Sequence, residues 1–267
     1  MAKDHVHTKL DVDVVQKSFP DEKVLYMLPF GDIHWDSRYS NHRLIKKKIQ
    51  EIKNEGYYTL LVGDTFDKLF FHWLLKDLQT DDLNSALETM AQLLQPIRDR
   101  IFLMMDGNHE RGMEKKTGFN LGEALANKLK IPYCRGFAIL HLRLGNHRKS
   151  SKRMLSYIGL ITHGYGGGRT KGAKTNKAAR LGDILEGCDF TIMGHVHDPN
   201  SVPTSRLVYD PRKLCVVQKD CRNIILSSFQ NYPKYAQQNH FPPSPQLEYL
   251  IRFDGTEKRI DISERPI

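Results

Sequence analysis

Five short stretches of this chain carry side chains that bind divalent cations, and each follows an apolar run. They are Gly31-Asp32-Ile33-His34, Gly63-Asp64-Thr65-Phe66-Asp67, Gly107-Asn108-His109-Glu110, Thr162-His163-Gly164 and Gly194-His195-Val196-His197. As a set, Asp32, His34, Asp64, Asn108, His163, His195 and His197 offer two carboxylates, four imidazoles and one amide, with no thiolate. Such oxygen and nitrogen donors suit Mn²⁺, Fe, Zn²⁺ or Ni²⁺ better than Ca²⁺, which prefers oxygen alone. Seven ligands are too many for one such ion. Two ions sharing a carboxylate account for the count, and a pair about 3.5–4 Å apart is a known device for phosphoester hydrolysis. Asp64, just past the apolar run Tyr57 to Val62, is the candidate bridge. Asp32/His34 and His195/His197 are i, i+2 pairs, whose members point the same way on an extended segment.

The elements that must position these tips alternate in type. Val24 to Phe30 reads as a strand, and Leu44, Ile45, Lys48, Ile49 and Ile52 form a helical stripe closed by Gly56. With the strand Tyr57 to Val62 this makes a strand–helix–strand unit, hence parallel pairing with a right-handed crossover. A helix from Asp82 to Leu94, capped by Asp81 or Asp82, precedes a strand from Ile101 to Met105. Asn120 caps a helix to Leu129, with Glu123 at the capping-box spacing. Ala138 to Leu144 and Met154 to Ile161 read as antiparallel strands around the polar turn Gly145 to Ser151. A helix over Asn176 to Leu185 leads to the strand Asp189 to Met193. Short strands follow at Leu214 to Val217, Ile224 to Phe229, Leu247 to Phe253 and Lys258 to Ile262, with Asp254-Gly255 as a turn. Residues 1 to 20 read as an arm packed on the body, with His5 and His7 as exposed terminal histidines. The apolar run Leu69 to Leu75 reads as core.

Composition bounds the rest. At 267 residues, 40% apolar and 27% charged, the chain is expected to be one soluble α/β domain spanning 1–267. No apolar run approaches the roughly 20 residues of a membrane helix, and the charged N-terminus lacks a signal-peptide segment. A cytoplasmic protein is expected. The four cysteines form no C-x-x-C pair and read as free thiols. The net charge of +9 is unevenly placed: Ala124 to Gly182 contains no Asp or Glu and 13 Lys or Arg. Such a field favours polyanions. Within it, Arg169, Lys171 and Lys174 follow the Gly-rich loop after His163 and are the candidate phosphate-binding residues.

The order Asp32-x-His34, Gly63-Asp64-x-x-Asp67, Gly107-Asn108-His109-Glu110, His163, Gly194-His195-x-His197 resembles the calcineurin-like metallophosphoesterase superfamily. The resemblance runs from Phe30 to His197. It implies a four-layer α-β-β-α sandwich, two mixed sheets flanked by helices, with a dinuclear site at the strand ends. It implies that Asp32, His34, Asp64 and His197 hold one metal, and that Asp64, Asn108, His163 and His195 hold the other. Manganese is the first expectation, with iron, zinc and nickel compatible. Water between two cations ionises near neutral pH and attacks phosphorus in line. His109 is the candidate general acid for the leaving oxygen. By resemblance Asp67 accepts a hydrogen bond from His109. Glu110 is read as supporting the ligands or structural, not catalytic; Asp36, His72 and His147 as uninvolved; and His141, in a strand, as a core or interface histidine.

Substrate is less legible. Protein phosphatases of the superfamily carry Asp-Arg-Gly where this chain has Asp67-Lys68-Leu69, and Arg where it has Asp106. Gly-Asp-Thr-Phe-Asp with Gly-His-Val-His looks closer to the DNA-repair exonuclease branch, the SbcD-type nucleases. Those are usually longer, and usually follow the Asn-His pair with Asp-x-Pro rather than Glu110-Arg111-Gly112. The leading expectation is a phosphodiesterase on DNA or RNA. A small-molecule or nucleotide phosphatase or phosphodiesterase is the alternative, and a non-catalytic scaffold a third. No protein partner is indicated.

Overall fold

Alternation along the strands sorts the apolar residues into two layers of core. The computed structural model describes residues 4–67, 82–145, 154–168, 170–232, 234–240 and 242–267. Its first half contains β1 (His5–His7), β2 (Asp13–Phe19), β3 (Val24–Met27), α1 (His42–Glu55), β4 (Thr59–Val62), α2 (Leu83–Leu94), β5 (Ile101–Met105), α3 (Asn108–Thr117), α4 (Leu121–Leu129) and β6 (Tyr133–Cys134). Its second half contains β7 (Phe137–Leu144), β8 (Leu155–Thr162), α5 (Lys171–Leu181), β9 (Phe190–Met193), β10 (Asn200–Asp210), β11 (Cys215–Ile225), α6 (Lys234–Gln238), β12 (Leu247–Asp254) and β13 (Ile260–Pro266).

One sheet runs β1-β2-β7-β8-β9-β11-β10. The other is built from β13-β12-β3 and β4-β5-β6, joined by parallel bridges Met27–Tyr58 and Phe30–Leu61. Between the sheets lie Leu25, Met27, Leu60, Val62, Phe102, Met105, Leu140, Leu142, Tyr157, Ile161, Phe190, Ile192, Ile251 and Phe253. On the outer face of the second sheet, Leu61, Ile101 and Met104 meet Ile45, Ile49 and Ile52 of α1, Met90 and Leu94 of α2, and Leu125 and Leu129 of α4. On the first sheet, Ala178 of α5 covers Met193, Val196 and Ile225. The result is helices, sheet, sheet, helix. A register shift between β4 and β5 turns both Phe102 and Leu103 toward the inter-sheet core.

The helix ends follow their sequence signals. Asn41 accepts from Leu44 N–H, and Gly56 closes α1 at φ 69°. Asp82 caps α2 through Ser85 N–H, and Asn120 caps α4 through Glu123 N–H.

Several elements differ from the sequence expectations. Residues 13–19 are no arm: β2 lies between β1 and β7, pairing in parallel with β7 from Asp13↔Ala138 to Phe19↔Leu144. Val15 is fully buried there. Asn108 and His109 open a helix, α3, that the sequence reading lacks. α5 starts at Lys171 and ends at Leu181, with Thr170 as its cap, earlier at both ends than the expected 176–185. β10 and β11, 11 residues each, form a long hairpin where only short pieces were expected. Pro203 is tolerated because β10 is an edge strand. Leu69 to Leu75, His72, His147, Arg169 and most of the turn 145–151 lie outside the described residues.

No described helix is long and apolar enough to cross a membrane. The four cysteines are unpaired.

Candidate metal centre

Each expected donor follows the C-terminal end of a strand: Asp32 and His34 after β3, Asp64 after β4, Asn108 after β5, His163 after β8, His195 and His197 after β9. The tips are held in unusual backbone. Asp32, His34, Asp64, His195 and His197 have φ of 53°, 48°, 46°, 68° and 51°, five of the nine non-glycine residues with positive φ among those described. Each such residue costs on the order of 1–3 kcal/mol and persists only where its surroundings over-determine it. Each buried Leu, Ile or Phe beneath the tips contributes about 1.5–3 kcal/mol, so the double core carries that strain. The i, i+2 pairs do converge, but through left-handed residues rather than the extended backbone expected.

Glycines make the close approach. A Cβ on Gly63, at φ 74°, would sit 2.5 Å from His163 Nδ1, and one on Gly107 would sit 2.2 Å from the Asp64 amide nitrogen. Only glycine lets the β4 and β5 tips touch.

The donors form two adjoining groups. Asp32, His34 and His197 converge, and so do Asp64, His163 and His195. In the first, His197 Nε2 lies 3.0 Å and His34 Nε2 3.9 Å from Asp32 Oδ1. In the second, His163 Nε2 is 3.1 Å from Asp64 Oδ2. The Asn108 carboxamide oxygen lies 2.9 Å from His163 Nε2 and 2.7 Å from His195 Nδ1. Asp32 and Asp64 are buried, and His163 is fully buried. His163 Nδ1 faces the Val62 carbonyl at 2.9 Å, which fixes its Nε2 toward the cluster. His34 Nε2 is buried with no hydrogen-bond partner. A buried ring nitrogen without a partner beside two carboxylates fits a cation, and so does the donor chemistry. All seven expected ligands are brought together.

Electrostatics agree. Burial works against both carboxylates, yet the surrounding imidazoles hold Asp32 below, and Asp64 well below, the usual carboxylate range. Burial works against the His163 imidazolium, but Asp64 raises it to about 9. Burial and then His163 depress His195 to about 4. Two carboxylates among clustered imidazoles are a site built for positive charge.

His109 sits beside this set. Its backbone N–H donates to Asp64 Oδ1 at 3.0 Å. Its Nε2 is 3.7 Å from Asp64 Oδ2, and its Nδ1 is 3.1 Å from Asp67 Oδ1. The same Asp67 oxygen faces His34 Nδ1 at 3.1 Å, so Asp67 stands between two imidazoles. Burial opposes the charged ring, but Asp64 and then Asp67 raise His109 to about 10.

Two carboxylates brace the loops. Glu110 accepts from the amides of Asp64, Thr65, Phe66 and Gly107 at 2.8–3.2 Å. It ties the β4 tip to the β5 tip, as a structural role requires. Asp36, read from sequence as uninvolved, is fully buried and accepts the Asp67 amide at 2.6 Å. It fixes the residue that stands between His34 and His109. Its place two residues past His34 was the only signal. His141 lies in β7 against Ser156, away from the site.

The candidate phosphate-binding lysines divide. Lys174 lines a cavity of about 410 Å³ with His195, His197, Gly166, Gly167 and Gly168, and pairs with Asp198 at 3.2 Å. Lys171 is exposed at the first turn of α5.

Comparison with known proteins gives a family. Residues 28–199, more than half of the chain, match the model described as calcineurin-like phosphoesterase. None of the curated proteins compared with the chain matches it. Among solved structures, a conserved uncharacterized protein from Streptococcus pneumoniae, titled a predicted phosphoesterase, is 11% identical with a TM-score of 0.40. The alignment covers 90% of each chain. GAP50, titled the anchor in the inner membrane complex of Plasmodium, is 12% identical with a TM-score of 0.40, over 91% of this chain and 84% of that one.

Proposed function

Because the chain belongs to the calcineurin-like phosphoesterase family, a family of hydrolases, we propose that its tips hold two divalent cations, manganese first, and that it cleaves phosphodiester bonds in DNA or RNA. Asp32, His34 and His197 would hold one cation, Asn108, His163 and His195 the other, with Asp64 shared. Bound there, such a pair supplies charge neutralisation at phosphate and an ionised water for attack. The chain's own groups do the rest. Asp67 keeps the proton on His109 Nδ1 and orients the ring. The other nitrogen, Nε2, points into the cluster and hands its proton to the leaving oxygen, a step worth about 10²–10⁴-fold.

One observation carries the polymer substrate. The loop 164–168 after His163 separates two cavities. On one side is the cavity of about 410 Å³ lined by His195, His197 and Lys174. On the other is one of about 860 Å³ lined by Arg111, Arg135, Lys177 and Arg180, with Asp106 and Asp183. At the divide Tyr165 is 82% exposed, and Lys177 lies 5.9 Å from its ring. Lys177 also donates to the carbonyls of Tyr165, Gly166 and Gly167, which sets the loop. An exposed aromatic with Lys177 beside its ring and Arg180 in the adjoining cavity is a surface on which single-stranded nucleic acid stacks.

A second reading rests on the smaller cavity. Gln230, Asn231, Tyr232 and Gln246 line it beside His195 and His197. Carboxamides and a phenol at that distance suit a compact nucleotide ester. Labelled single-stranded DNA and RNA, incubated with Mn²⁺ beside bis-p-nitrophenyl and p-nitrophenyl phosphate, separate the two. The first reading predicts polymer cleavage that weakens with added salt. Turnover of the small esters with intact polymer contradicts it and selects the second.

A further inference from the structure

A second group of donors stands at the N-terminal edge of the molecule and shares no residue with the centre above. β1 brings His5, β2 opens with Asp13 and β6 ends with Cys134. Asp13 and Cys134 are buried, and the His5 side chain is 33% exposed. His5 Nε2 is 2.9 Å from Asp13 Oδ1 and 4.0 Å from Cys134 Sγ. The three donor atoms lie within 4.8 Å of one another. The sequence gives no hint of this, since the three residues are spread over 130 positions of chain.

We propose that His5, Asp13 and Cys134 form a third cation site, of zinc type. Ligands bound to a tetrahedral zinc at about 2.0–2.3 Å are separated by about 3.3–3.6 Å. The observed 2.9 and 4.0 Å from His5 bracket that spacing, and the remaining Asp13–Cys134 pair lies within 4.8 Å. One imidazole, one carboxylate and one thiolate neutralise a dication. The nitrogen, oxygen and sulfur mixture selects zinc or cobalt over the harder ions of the catalytic centre. The carboxylate is already oriented. Arg135 N–H donates to Asp13 Oδ2 at 3.3 Å, and His7 Nδ1 lies 3.1 Å from Oδ1, the outer contacts that metal-bound carboxylates carry. Three protein ligands leave one tetrahedral vertex, on the side where His5 meets solvent.

Burial, and then the Asp13 charge, push the Cys134 thiol up. A free thiol there is inert, whereas a cation would take the thiolate outright. The site joins two layers. β2 belongs to the seven-stranded sheet and β6 to the other. A cation would staple the short edge strand β1 across the seam between them.

The test is a Co²⁺ titration of the untagged, reduced full chain, followed by absorbance. The Asp, His and Asn donors of the catalytic centre cannot give a sulfur-to-cobalt charge-transfer band. The proposal predicts that band, displaced by Zn²⁺, with about three equivalents bound in all. Cys134→Ser and His5→Ala should each lose the band and one equivalent, while Cys215→Ser keeps both. His5→Ala removes a partly exposed side chain from an edge strand, so it decides the matter if Cys134→Ser fails to fold. Absence of the band, or a band that survives in His5→Ala, overturns the proposal. Failure of the catalytic reading alone would leave the band intact with about one equivalent bound.

Discussion

The two donor clusters are built in opposite ways. In the proposed metal centre the candidate ligands sit on loop tips past the ends of strands, most with positive φ, under glycines that let the backbones touch. At the N-terminal edge, His5, Asp13 and Cys134 lie in regular strands, without left-handed backbone. The first contains no sulfur and adjoins two cavities. The second contains a thiol and lies open at His5. Strain marks the place where chemistry needs several groups around a small volume, and only a deep core can hold it. Regular strands suffice where a cation is a staple.

Mutations can break that contrast, and the largest effect falls on the shared carboxylate. Asp64→Asn should remove diester hydrolysis by about 10³-fold or more and lower metal content by at least one equivalent, measured by kinetics and elemental analysis. Retained activity would show that the tips do not act as one unit. Next is His109→Ala. A fall in kcat of about 10²–10⁴-fold on a poor leaving group, with metal content unchanged and a smaller fall on bis-p-nitrophenyl phosphate, identifies a proton donor. Equal falls on both esters would assign His109 to binding instead. Asp36→Asn weakens the hold on Asp67. A decrease of about 10–100-fold is expected, with the fold retained by circular dichroism. Wild-type kinetics would leave Asp36 a loop brace only. Tyr165→Ala should weaken single-stranded polymer binding by about 1–3 kcal/mol without touching small-ester turnover. Smallest of all, Cys134→Ser should alter diester kinetics less than about twofold, because its thiol faces His5 and its contact with the Asp106 amide is made by a backbone carbonyl that the substitution leaves in place; a larger loss would couple the two clusters.

Much of this was readable before any coordinates. The apolar runs over β4, β5, β8 and β9, each followed by a candidate ligand, marked both the sheets and the tips. Gly56, Asp82 and Asn120 marked helix ends because capping is local chemistry. What escaped was held by distance in the chain or lacked an apolar signal. Only Glu110 and Met113 of α3 are buried, so its helical period was silent. β2 mixes Asp, Gln, Lys and Ser with its valines and buries Asp13 and Val15 alone, since a strand can bury two residues and still be essential. β10 buries no residue and alternates between half-buried and exposed positions, leaving no apolar pattern to read. Asp36 matters through one hydrogen bond to a residue 31 positions later. The partners of His5 could not be found from spacing at all.

The account stands or falls on whether the five tips enclose two ions. Anomalous diffraction from Mn²⁺-soaked crystals, collected at the manganese edge, asks this directly. It should show two peaks about 3.5–4 Å apart, both within bonding reach of the Asp64 carboxylate, one beside Asp32 and His197 and the other beside His163 and His195. A single peak, or no density between these residues at saturating metal, would contradict it.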